Sequence, residues 1–85
     1  MPTISVFYGV VITMYSDDHP PPHYHARYIS YEVTVNIQTG AITGEAPPRV
    51  KRTLKEWTAL RRTELMEAWR RCERQEPPGS VEPLE

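Results

Sequence analysis

The chain has 85 residues, 39% of them hydrophobic and 25% charged, with a net charge of −1. That length holds one domain, burying roughly 60% of its unfolded surface, and excludes a second core. A single cysteine, Cys72, excludes an internal disulfide, and no apolar run is long enough for a membrane span or a secretory leader. A cytoplasmic protein with no membrane contact is therefore expected.

Charge is unevenly placed. Residues 1–48 carry Arg27 against Asp17, Asp18, Glu32 and Glu45, residues 49–74 carry nine Lys or Arg against four Glu, and the rest carries three Glu. The basic stretch reads first as a solvated helix face laced with charge pairs, such as Lys51 and Lys55 with Glu56. Its second use is contact with nucleic-acid phosphates or an acidic partner.

Taken in order, residues 3–15 are β-branched and aromatic throughout. Ile4, Val6, Tyr8, Val10, Ile12 and Met14 share one face at period two, which predicts one long strand with Gly9 at a bulge or close approach. Ser16-Asp17-Asp18 ends it. His19-Pro20-Pro21-Pro22 follows, stiff and unable to enter a helix, and presents a second strand, His23 to Tyr28. A two-residue turn at Ile29-Ser30 pairs this strand with a third so that His23, His25, Arg27, Glu32, Thr34 and Asn36 share a polar face, with Glu32 as charge partner of Arg27. Tyr24, Ala26, Tyr28, Tyr31, Val33 and Val35 then share the apolar face, and a one-residue slip would mix the two sets.

Gln38-Thr39-Gly40 makes a turn into a short fourth strand, Ala41 to Gly44. Pro47-Pro48 opens the helical region. Val50, Leu54, Trp57, Leu60, Leu65, Ala68, Trp69 and Cys72 recur at helical spacing, interrupted at Arg61-Arg62. This predicts one bent helix or two helices parted near Arg62-Thr63, with Thr63 as a candidate cap. The expected architecture is α+β: a four-stranded, mainly antiparallel sheet followed by one bent or two short helices on one face. Residues 1–76 form the domain, and 77–85 a Pro- and Gly-containing tail anchored by Val81 or Leu84. Leu54, Trp57, Leu65 and Trp69 should meet the hairpin's apolar side.

All three histidines lie within seven positions, His19 to His25. Four uses of them stand open. As metal ligands, His23 and His25 project the same way from a strand, with His19 or Asp17/Asp18 as a third donor, and a divalent ion such as zinc is the matching cofactor. As a metal-independent ribonuclease, one imidazole acts as base and the other as acid, while Arg27 stabilises charge on the phosphate. As a binding module, His19, Tyr24, Glu32, Thr34 and Asn36 form a surface for a protein or nucleic acid. Lastly, the imidazoles can simply lock the proline turn by hydrogen bonds to loop carbonyls.

Met1-Pro2-Thr3-Ile4, the set His19, Pro21, Pro22, His25 and Ala26, Trp57 with Leu60, and Glu64-Leu65 with Trp69 together resemble the bacterial domain-of-unknown-function family DUF4160, from residue 2 to about 70. That family usually carries Gly where this chain has Ile29 and commonly His where it has Arg61. The resemblance implies no activity. It does imply a small uncharacterised protein encoded alongside, in an arrangement similar to toxin–antitoxin modules. A partner is expected, either a second copy or that neighbour, because a sheet this short leaves an edge strand unpaired.

Overall fold

The structure is a computed structural model and describes residues 2–84. Five strands form one antiparallel meander in sequence order: β1 (Thr3–Phe7), β2 (Val10–Thr13), β3 (His23–Tyr28), β4 (Tyr31–Asn36) and β5 (Ile42–Thr43). Helices α1 (Pro48–Leu60) and α2 (Arg62–Glu73) follow and cover one face. The expected long first strand is instead a hairpin, so the sheet has five strands rather than four. Tyr8 (φ 50°) and Gly9 (φ 78°) both lie in the left-handed region, as the central residues of a tight hairpin turn require. Gly9 thus reverses the chain instead of bulging it. An irregularity between Thr3 and Ser5 also shifts the phase of β1: Phe7 is buried, while Val6 and Tyr8 are exposed.

The β3–β4 register is the one the side chains demand, with His23 opposite Asn36, His25 opposite Thr34, Arg27 opposite Glu32, and three apolar pairs between them. The two-residue turn holds Ile29 at φ 55° with 77% of its surface exposed. After the next turn, Gly44 (φ 114°) lies so close to β4 that a Cβ would stand 2.9 Å from the Glu32 carbonyl oxygen. Only glycine fits there.

Pro48 occupies the first turn of α1, where its missing N–H costs nothing. The helical stretch divides at Arg61 (φ −112°, ψ 21°). A straight continuation would carry the stripe from Trp57 to position 61, where it meets a guanidinium. Thr63 does not cap α2, because Arg61 is the cap residue and no side chain bonds the end. Instead Arg62 Nε donates to the Ile37 carbonyl at 2.8 Å, tying the helix junction to the turn after β4. At the far end, Gln75 takes the left-handed conformation (φ 62°), with Gln75 N–H bonded to Cys72 O and Glu76 N–H to Arg71 O. That pair of bonds makes a Schellman stop.

Trp57 and Trp69 are both buried, as expected. The Trp57 ring meets Phe7 at 4.9 Å and Tyr24 at 5.4 Å between centroids. Beyond α2 the chain returns to the sheet: Val81 is buried and its N–H bonds Ile4 O, Trp57 Nε1–H donates to Glu82 O, and Leu84 packs on the core. Among the described residues, no helix is long and apolar enough to cross a membrane.

Three outcomes follow. Replacing Ile29 by Asn or Gly removes a left-handed β-branched residue at almost no loss of burial, and should stabilise the domain by about 1 kcal/mol, or about 4–8 °C in Tm. In the core, Thr58 Oγ donates to Leu54 O and accepts from the Tyr24 hydroxyl at 2.7 Å. Thr58→Val strands a buried phenol hydroxyl and should cost about 1–3 kcal/mol, more than the roughly 1 kcal/mol of Tyr24→Phe. Burial pushes the Tyr24 phenol up, with the Thr58 bond acting in the opposite sense. An unfolded phenol ionises near 10, so this contribution is intact below about pH 10 and fades above it. Tm should therefore fall less steeply with base in Tyr24→Phe.

Candidate metal centre

The alternation along β3 turns Tyr24 and Ala26 into the core and His23 and His25 to the other side. The loop after β2 then brings Asp18 over them. Asp18 Oδ2 lies 2.9 Å from His25 Nε2 and 3.2 Å from His23 Nε2, and each of the three side chains keeps 21–24% of its surface exposed. One ligating atom from each lies within 4.8 Å of the others. The Tyr15 ring meets His25 edge-on at 4.8 Å, the two imidazoles are 5.3 Å apart, and Trp69 lies 5.3 Å beyond His23. Two aromatic walls thus bound the pair, one from the loop and one from α2.

The hydrogen bonds fix the imidazole tautomers. His23 Nδ1 is 2.9 Å from the Pro21 carbonyl oxygen. A carbonyl only accepts, so Nδ1 carries the hydrogen and neutral His23 offers a lone pair at Nε2. His25 Nε2, within hydrogen-bond distance of Asp18 Oδ2, carries its hydrogen there. His23 therefore aims a lone pair at a carboxylate oxygen already engaged by a second imidazole. Lone pairs in contact repel unless a positive charge, either a proton or a metal ion, stands between them.

The arrangement fits a metal ion. Ligand bonds of about 2.0–2.2 Å in a tetrahedron place donor atoms about 3.3–3.6 Å apart, so the Asp18 distances of 3.2 and 2.9 Å would open by about 0.1–0.7 Å. The Pro21 carbonyl already holds His23 in the tautomer a ligand needs, the usual outer support of a metal-bound imidazole. His25 would move its hydrogen from Nε2 to Nδ1.

The other expected site residues separate into those near the centre and those apart from it. His19 is exposed and outside the cluster, and Asp18 holds the third position in its place. The chain leaves the centre at Asp18 and returns only at His23. Arg27 is exposed on the same face, one strand repeat from His25. Glu32 lies opposite it in register but forms no ion pair with it among the described residues. Thr34 flanks His25, and Asn36 flanks His23 with its side-chain oxygen already accepting the Gln38 and Thr39 N–H groups. Tyr24 is fully buried and takes no part in any surface. Cys72 is buried, its thiol pushed up first by burial and then by the Asp18 carboxylate, so it stays protonated at neutral pH.

A sequence model of the domain of unknown function DUF4160 matches residues 9–70. The chain belongs to this family. No curated protein matches, and no solved structure does. The matched span of this DUF4160 domain includes Tyr15, Asp18, His23, His25 and Trp69, whereas the returning tail lies beyond it.

Tyr15 and Trp69 went unforeseen as walls of the site. Trp69 reads as a core residue by helical spacing and Tyr15 falls on the mixed face of the expected first strand, and only helix docking and loop closure bring them to the imidazoles. The tautomers give a direct check. In metal-free protein well above the range where free imidazole titrates, about 6.5, nitrogen-15 NMR should find His23 protonated on Nδ1 and His25 on Nε2. The same tautomer in both rings would contradict the hydrogen-bond pattern.

Proposed function

We propose that this domain binds a divalent first-row metal ion, zinc by its ligand chemistry, through Asp18 Oδ2, His23 Nε2 and His25 Nε2. The observation that carries the reading is the spent Nδ1 of His23: with its hydrogen committed to Pro21 O, its free lone pair faces a carboxylate beside a second imidazole. Two nitrogens and one oxygen are a borderline-soft donor set of the zinc class, and three protein ligands leave one tetrahedral position open. Such a centre has a place for water or for a ligand atom. The acid–base cleavage reading of His23, His25 and Arg27 is weaker. An acid and a base must flank a phosphate between them, whereas these two nitrogens converge on one carboxylate oxygen.

Titration calorimetry of tag-free protein tests the reading. One zinc per chain is expected. Asp18→Ala, His23→Ala and His25→Ala should each weaken binding by more than the roughly 10–100-fold that loss of an outer partner costs, and His19→Ala should leave it unchanged. Zinc at about 100 times its Kd should add about 2.7 kcal/mol to stability. A wild-type chain that takes up no zinc, or a His19→Ala loss as large as that of His25→Ala, would overturn the proposal.

A further inference from the structure

Arg27 is the only Lys or Arg in residues 1–48. It stands on an otherwise threonine-rich face: Thr13 and Thr34 flank His25 on either side, and Thr43 follows Thr34 in the ladder. Five arginines of the helices and tail have partners: Arg49 bonds the Tyr28 hydroxyl, Arg61 faces Glu64, Arg62 holds Ile37 O, Arg71 bonds Pro78 O and Arg74 pairs with Glu76. Arg52 and Arg70 lie on the helices, so Arg27 is the one arginine that shares a strand with the two imidazoles. Among the described residues, no carboxylate lies within 4.0 Å of the Arg27 guanidinium. Between Arg27 and His25 the sheet surface dips into a recess with room for about one water, walled by Thr13, Tyr15 and Glu32.

A lone cation beside a metal position that keeps one coordination site open suggests the ligand. We infer that the centre takes a small oxyanion, a phosphate or carboxylate group, with one oxygen on the metal and another on Arg27. This rests on the metal reading of Asp18, His23 and His25. Residues two apart on a strand are about 6.7 Å apart, so the Arg27 side chain springs from the strand one repeat beyond His25, a proposed ligand. An oxyanion held by both would have one oxygen about 2.1 Å from the metal and another about 2.8 Å from the guanidinium fork. The Thr13 and Thr34 hydroxyls are donors for the oxygens that remain. Glu32, on the recess wall, opposes the anion and limits the charge the site accepts.

The test uses cobalt(II)-loaded protein, whose visible spectrum reports ligands entering the open position, with methylphosphonate and acetate as probes. Both metal uptake and probe affinity are measured for wild type, Arg27→Gln and Glu32→Gln. Expected are cobalt uptake retained in both variants, probe binding about tenfold or more weaker in Arg27→Gln, and tighter binding in Glu32→Gln. Preference for methylphosphonate assigns the site to phosphate groups, and preference for acetate to carboxylates. Normal cobalt uptake with equal probe affinity in wild type and Arg27→Gln overturns the oxyanion inference alone. Loss of cobalt uptake in the wild-type protein overturns the metal reading beneath it.

Discussion

Burial of Tyr24 is the constraint on which the rest depends. Its ring lies against Trp57 and its hydroxyl ends on Thr58, which is itself tied to the carbonyl of Leu54. A phenol held at both ends cannot rotate to the other face of its strand. Successive side chains alternate, so fixing Tyr24 inward fixes His23 and His25 outward. The α1 contact thereby sets the direction of two imidazoles on the opposite side of the strand. A register slip of one residue would carry a tyrosine into water and a histidine into the core together, which is why the pairing is well specified.

Within that frame the polar cluster is assembled from three separate sources. β3 supplies the two imidazoles, the loop after β2 supplies the carboxylate, and α2 supplies the indole behind His23. No single segment contains the site. The proline run contributes through one backbone atom, the Pro21 carbonyl, which selects the protonated nitrogen of His23. The centre is only partly open, so its electrostatics are stronger than those of a surface cluster yet still accessible to ions from solution.

What could be read from the sequence follows from how local each signal is. The β3–β4 register was legible because six facing pairs had to agree at once, and the buried tryptophans because helical spacing marks them. The hairpin within residues 3–15 was not, since Tyr8-Gly9 gives a weaker turn signal than Asn-Gly and both flanks are apolar. The break at Arg61 was visible as an interruption, but its cap was misassigned to Thr63 because the junction is held by a tertiary bond from Arg62 to Ile37. At the site, the histidine pair was legible from spacing two. The third donor was open between His19 and the aspartates, because loop closure and not periodicity decides which of them turns back. Tyr15 and Trp69 carried no separate signal at all.

The returning tail has a consequence for assembly. An outermost strand offers unpaired N–H and C=O groups on which another chain can add itself as a further strand, the first step toward ordered aggregates. Here Val81 occupies the Ile4 carbonyl on the open side of β1. The segment that does so is flanked by Pro78 and Pro83, residues that cannot donate to a ladder. The tail thus terminates the sheet without becoming a new template, and the exposed Val6 sits on an edge that the chain itself has blunted.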